Sequence, residues 1–150
     1  MRRGFTLVEV LIVVAILGIL AAIVIPTFRG HIQEAKEAAA KDNLRILRNV
    51  IELYASQHNN VPPGYMNNNP KITYLTSYVF YAQIVLQSKY LRKLPENPIN
   101  GSPGIIMRGD SAIFPAEADG QSGWIYQPAT KTIRVNSPGK DSKGVRYYDY

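Results

Sequence analysis

Cysteine is absent from the 150 residues, so the fold must rest on packing, on neighbouring chains or on a bound metal ion, and not on disulfides. Histidine is scarce, and His31 and His58 show no metal-ligand spacing. With no thiol nucleophile, and no glycine loop of phosphate-cradling spacing ahead of a helix, the sequence carries no enzymatic signature. The single tryptophan, Trp124, reads as a core or sheet-edge anchor, because large aromatics mostly serve packing. Charge is sparse as well, at 19% of residues with a formal net charge of +6. Without Arg2 and Arg3 about +4 is left on side chains, too little to imply a nucleic-acid partner.

What the sequence does have is a long apolar run, from Phe5 to Ile25, interrupted by one carboxylate at Glu9. An ionisable group at membrane depth costs roughly 2.5–3.5 kcal/mol even on forgiving insertion scales, so Glu9 needs a partner. The run reaches about 20 residues, which at 1.5 Å per residue spans the ~30 Å hydrocarbon core. A secretory signal has a shorter apolar region of about 7–15 residues, and Ala21-Ala22 is a poor match to its cleavage site. A cleaved signal and a generic single-pass anchor are the plainer readings of this segment. Arg2 and Arg3 flank it on the N-terminal side, which holds that end in the cytoplasm and puts everything after Pro26 outside. A cut between Gly4 and Phe5 places a new α-amino group one helical turn from Glu9, and near the Glu9 of a neighbour packed alongside.

As they stand, Met1-Arg2-Arg3-Gly4, then Phe5-Thr6-Leu7-Val8-Glu9, then an apolar helix ending at Pro26, closely resemble the class III leader and N-terminal helix of type IV pilins and type II secretion pseudopilins. The resemblance implies that a membrane prepilin peptidase cleaves after Gly4 and methylates the amine of Phe5. It also implies that Glu9 neutralises the Phe5 amine of an adjacent subunit, setting register in a filament. The partners implied are that peptidase, identical and minor pilin-like subunits, an inner-membrane assembly platform and the lipid bilayer. Many type IVa major pilins close their C-terminal region with a disulfide, whereas major pseudopilins generally lack one, so the missing cysteine points to a secretion pseudopilus. A type IV pilin for adhesion, motility or DNA uptake is the alternative within the family. A membrane-anchored binding module or enzyme is the alternative of another class, and would need convergent polar residues in 60–150.

The domain reading is a leader, 1–4, a transmembrane and assembly helix, 5–26, and an exported pilin-like domain, 27–150, that includes the amphipathic half of the long helix. Pro26 predicts a kink and not a stop. Residues 27–59 contain no proline and only Gly30 as a poor helix former, so one helix of about 55 residues is expected. Glu37 with Lys41, and Arg48 with Glu52, stand at i,i+4. At 100° per residue Leu44, Ile46, Leu47, Val50, Ile51, Leu53 and Tyr54 fall on one half of the surface, and Arg45, Arg48, Asn49, Glu52 and Ser56 on the other.

Residues 58–64 stop that helix with turn formers and two prolines. Residues 76–87 read best as a short helix, although their β-branched and aromatic content leaves a strand open. Residues 90–98 resemble the pseudopilin segment that approaches the sheet. Short strands are expected at 104–107, 112–115, 124–127 and 132–136, the last two as a hairpin over a four-residue loop. The fold class is therefore α+β, resembling pilins: a long N-terminal α-helix, transmembrane in its first half, packed by its second half on a small antiparallel β-sheet.

Asp110, Asp119, Asp141 and Asp149 are loop acids, and both histidines read as solvated. The major pseudopilins that the chain resembles carry calcium in their C-terminal loop. Residues 137–144 occupy the corresponding place, yet Lys140 and Lys143 stand where carboxylates would be expected for a hard cation. No other cofactor is expected, and Asp141 and Asp149 are the calcium candidates. The run Tyr147-Tyr148-Asp149-Tyr150 either pins the tail to the sheet or faces a neighbouring subunit.

Overall fold

Apolar continuity and good helix formers produce a single helix, α1, over Leu7–Gln57 in the computed structural model, which describes residues 6–72, 75–87 and 90–150. It continues through Pro26. The chain divides into two units, Met1–Ala35 and Lys36–Tyr150. In the first, Leu7–Val24 is long and apolar enough to cross a membrane, and none of it is buried. The second contains the core.

That core is built on a stripe of α1 at i, i+3, i+4 spacing: Leu44, Leu47, Ile51 and Tyr54 are each at most 1% exposed. They meet Phe80, Ile84, Trp124, Tyr126, Ile133 and Val135. The stripe is narrower than half a helix, and Ile46 and Leu53, expected inside, are 42% and 48% exposed. The helix ends where Asn59 and Asn60 take left-handed backbone conformations, with φ of 53° and 62°, which asparagine tolerates better than most residues. Asn60 N–H returns to the Ala55 carbonyl at 2.9 Å.

Residues 77–87 of the expected stretch are helical. Thr76 accepts from the Val79 N–H and caps a short helix, α2, Ser77–Tyr81, which widens into a π-helical segment, Ala82–Gln87. In that segment the buried Gln83 amide donates to the Tyr65 carbonyl at 2.8 Å and accepts from Gly64 N–H at 2.7 Å. It fastens the loop after α1 to the core.

Three strands follow: β1, Ile105–Met107, β2, Trp124–Gln127, and β3, Thr132–Val135, in the order β1-β2-β3. β2 and β3 form the expected antiparallel hairpin, pairing Trp124 with Val135 and Gln127 with Thr132. It turns through Pro128–Thr130, with Lys131 left-handed at φ 53°. β1, however, runs parallel to β2, with Ile105 opposite Trp124. The sheet is therefore mixed and not wholly antiparallel. The intervening stretch, 108–123, is long enough for the crossover that a parallel pair requires, a dozen or more residues.

Residues 112–115 are not a strand. A turn at Asp110 and Ser111 leads into them, Ile113 is 91% exposed, and the Gln127 amide donates to the carbonyls of Gly109 and Ala112 at 2.9 and 2.8 Å. Side chains, not a neighbouring strand, take up carbonyls of this stretch, Gln127 at Ala112 and the Tyr148 hydroxyl at Pro115.

Candidate functional site

Two places attract a functional reading: the first turn of α1 and the loop 137–144. At the first, Thr6 is the residue before the helix and Glu9 its third position. The Glu9 Oε2 accepts from the Thr6 N–H at 2.9 Å and from the Thr6 hydroxyl at 2.7 Å, while the Glu9 N–H donates to Thr6 Oγ1 at 3.3 Å. This is a reciprocal capping box, satisfying donors that the helix start leaves without intrahelical partners. The carboxylate also complements the positive end of the helix dipole. Thr6 was not among the expected assembly residues, Phe5 and Glu9, although its T-x-x-E spacing is a legible signature. Gly4 and Phe5, the expected cleavage and methylation positions, lie outside the described residues.

At the second place, residues of α1 reach across to the loop. Glu37 accepts from the Ser142 N–H at 3.2 and 3.3 Å, from the Ser142 hydroxyl at 2.9 Å and from the Tyr147 hydroxyl at 3.4 Å. Lys41 reaches Asp141 Oδ2 at 3.4 Å. Farther along, Arg48 donates to the carbonyl oxygens of Ile133 and Tyr150 at 3.4 and 3.0 Å, and Glu52 pairs with Lys131 at 2.9 Å. The helical i,i+4 spacings thus serve long-range ties. Tyr147 and Tyr148 are buried, so the tail is pinned within its own domain.

The two calcium candidates are each held by their own donors. Burial pushes the Asp141 carboxyl up, but the Val145 N–H, the Tyr150 hydroxyl, the Lys143 N–H and Lys41 outweigh it and lower the pKa to about 2. Asp149 is held below its usual range first by the hydrogen-bonded Arg146 and then by Arg134. Among the described residues no group of three or more acids or histidines is arranged to hold a metal ion.

Trp124 is fully buried and its indole N–H donates to the Pro95 carbonyl at 2.9 Å, an anchoring role. His31 is exposed beside Glu34. His58 is not free in solvent: its ring stacks on Tyr54 with centroids 3.9 Å apart and Nδ1 lies 2.8 Å from the Tyr54 carbonyl.

Residues 1–25 match the prokaryotic N-terminal methylation motif. The type II secretion system core protein G of Vibrio cholerae is 30% identical over 125 residues, covering 81% of this chain and 84% of that protein. The core protein G of Klebsiella michiganensis is 28% identical over 122 residues, covering 81% and 85%. The type IV major pilin protein PilA of Myxococcus xanthus is 49% identical over 56 residues, 37% of this chain and 26% of PilA. No solved structure matches. Since similarity to the core G proteins extends well beyond the apolar helix and through most of the chain, the protein belongs to the family of the type II secretion system core protein G.

Proposed function

We propose that this protein is a structural subunit of a type II secretion pseudopilus or a closely related pilus-like filament, acting by assembly and not by catalysis. It is stored in the inner membrane, with its N-terminus in the cytoplasm and the residues after Pro26 outside. A prepilin peptidase cuts after Gly4 and methylates Phe5, and the assembly platform then adds the subunit to identical and minor partners. The Phe5 amine pairs with Glu9 of an adjacent subunit, an attraction that low dielectric strengthens and that is costly to leave unmade. Identical head-to-tail contacts whose rotation does not close generate an open helix.

The observation that carries this reading is the Glu9 carboxylate in the first turn of Leu7–Val24, an apolar and unburied stretch of membrane-spanning length. A type IV pilin is the second reading, favoured by the likeness to PilA, but that likeness covers 37% of this chain whereas the core G proteins cover 81%. The test is the intact mass and N-terminal sequence of the membrane protein, expressed with and without a prepilin peptidase. A mature chain beginning at methylated Phe5 is expected. An uncut Met1, or a cut near Ala22, would reduce residues 1–25 to an anchor or a signal.

A further inference from the structure

The loop 137–144 stands where the resemblance to major pseudopilins implies calcium, and its charged oxygens are already engaged. The Asp141 side chain is 1% exposed. Its Oδ1 accepts the N–H groups of Lys143 and Val145, each at 2.9 Å. Its Oδ2 accepts the Tyr150 hydroxyl at 2.9 Å and the Lys41 ammonium at 3.4 Å. Lys41 is fixed from a second side, with Nζ 4.0 Å from the centroid of the Tyr150 ring. One turn earlier on α1, Glu37 is engaged by Ser142 and Tyr147. Asp149 is bound by both Arg146 and Arg134.

Calcium takes about six to eight oxygen ligands at roughly 2.3–2.6 Å. To enter here it would have to strip two backbone N–H groups from Oδ1 and displace a positive charge from Oδ2. The residues present do not fit it. They fit an ammonium instead, a compact point charge with three donors on a flexible stem. Without that charge a nearly buried carboxylate would lose its counter-ion, which is costly.

We propose that Lys41 is the cation of this loop, closing 137–144 onto α1 through Asp141 in the place of a metal ion, so that the domain folds and stays folded without calcium. The claim concerns the stability of residues 36–150 and stands apart from the filament function.

The test is thermal unfolding of the full chain in detergent, in millimolar calcium chloride and in EGTA, with calorimetric titration of calcium into the chelator-treated protein. The expected result is one midpoint in both solutions and no binding heat. Lys41→Met should lower the midpoint by roughly 2–4 °C in both solutions, and Lys41→Arg should recover most of that loss. A wild-type midpoint that rises in calcium by more than a degree or two, or calcium binding at micromolar affinity, overturns the proposal. So does a Lys41→Met protein as stable as wild type in EGTA. The wild-type comparison requires no variant to fold.

Discussion

Because its Oε2 accepts both the N–H and the hydroxyl of Thr6, the Glu9 carboxylate caps α1 as well as carrying charge at the membrane end of the helix. Two substitutions separate these duties. Glutamine also serves at the third position of a capping box, so Glu9→Gln keeps the helix start while removing the charge. Glu9→Val removes both. If charge pairing with the Phe5 amine drives assembly, both variants should insert and be cut after Gly4, and both should fail to form filaments. Normal filament yield from Glu9→Gln, read by shearing and electron microscopy, would assign the role to the cap and refute the pairing. Thr6→Val tests the cap from the other side, and should cost about 1 kcal/mol of helix-start stability. Glu9 was legible in the sequence because an acid in an apolar run is conspicuous. Thr6 is inconspicuous there, although its spacing to Glu9 carried the same information.

Among the elements, those whose patterns are local were legible: α1, the helical stretch 77–87 and the β2–β3 hairpin. Parallel pairing of β1 was not, since nothing in a three-residue strand records which neighbour it meets or in which direction. Residues 112–115 looked like a strand for the same reason, and the side chains that hold their carbonyls, Gln127 at Ala112 and Tyr148 at Pro115, are distant in sequence. The stripe on α1 gives a quantitative check on packing. Leu47→Ala, at a fully buried position, should cost about 2–5 kcal/mol in denaturant unfolding. Ile46→Ala, one residue away but 42% exposed, should cost well under about 1 kcal/mol. Gly123, just before β2, supplies a test of its packing against the segment that leads into β1. A Cβ there would lie 2.0 Å from the Ser102 carbonyl oxygen, a contact that backbone must move to relieve. Gly123→Ala should therefore destabilise by about 1–3 kcal/mol, and equal denaturation midpoints for variant and wild type would contradict this packing.

At the scale of the whole molecule, the ties that join α1 to the loop 137–144 start at Glu37 and Lys41, close to the beginning of the unit Lys36–Tyr150. A chain starting at residue 36 should therefore unfold cooperatively, and one starting at residue 42, without Glu37 and Lys41, should melt several degrees lower. These long-range ties could not be read from sequence, where Glu37 and Lys41 look like an ordinary helical pair. They make a further demand on pH. Asp141 titrates near 2 in the folded protein against an ordinary 3.8, so the unfolded chain binds its proton more readily. The stabilisation is complete above about pH 5 and is lost progressively as pH falls towards 2, and the lowered Asp119 and Asp149 act in the same direction. Facing the Asp141 carboxylate are Lys41 from α1, Tyr150 from the tail and the Lys143 and Val145 backbone, with Glu37 bound to the adjoining Ser142. The melting midpoint of the 36–150 chain should be flat from neutrality to about pH 5 and fall steeply below about pH 4. Asp141→Asn should melt lower than wild type at neutral pH, and the gap between them should narrow as acid protonates Asp141 in the wild type. A gap that stays constant across that range would mean that the Asp141 charge does not hold the loop.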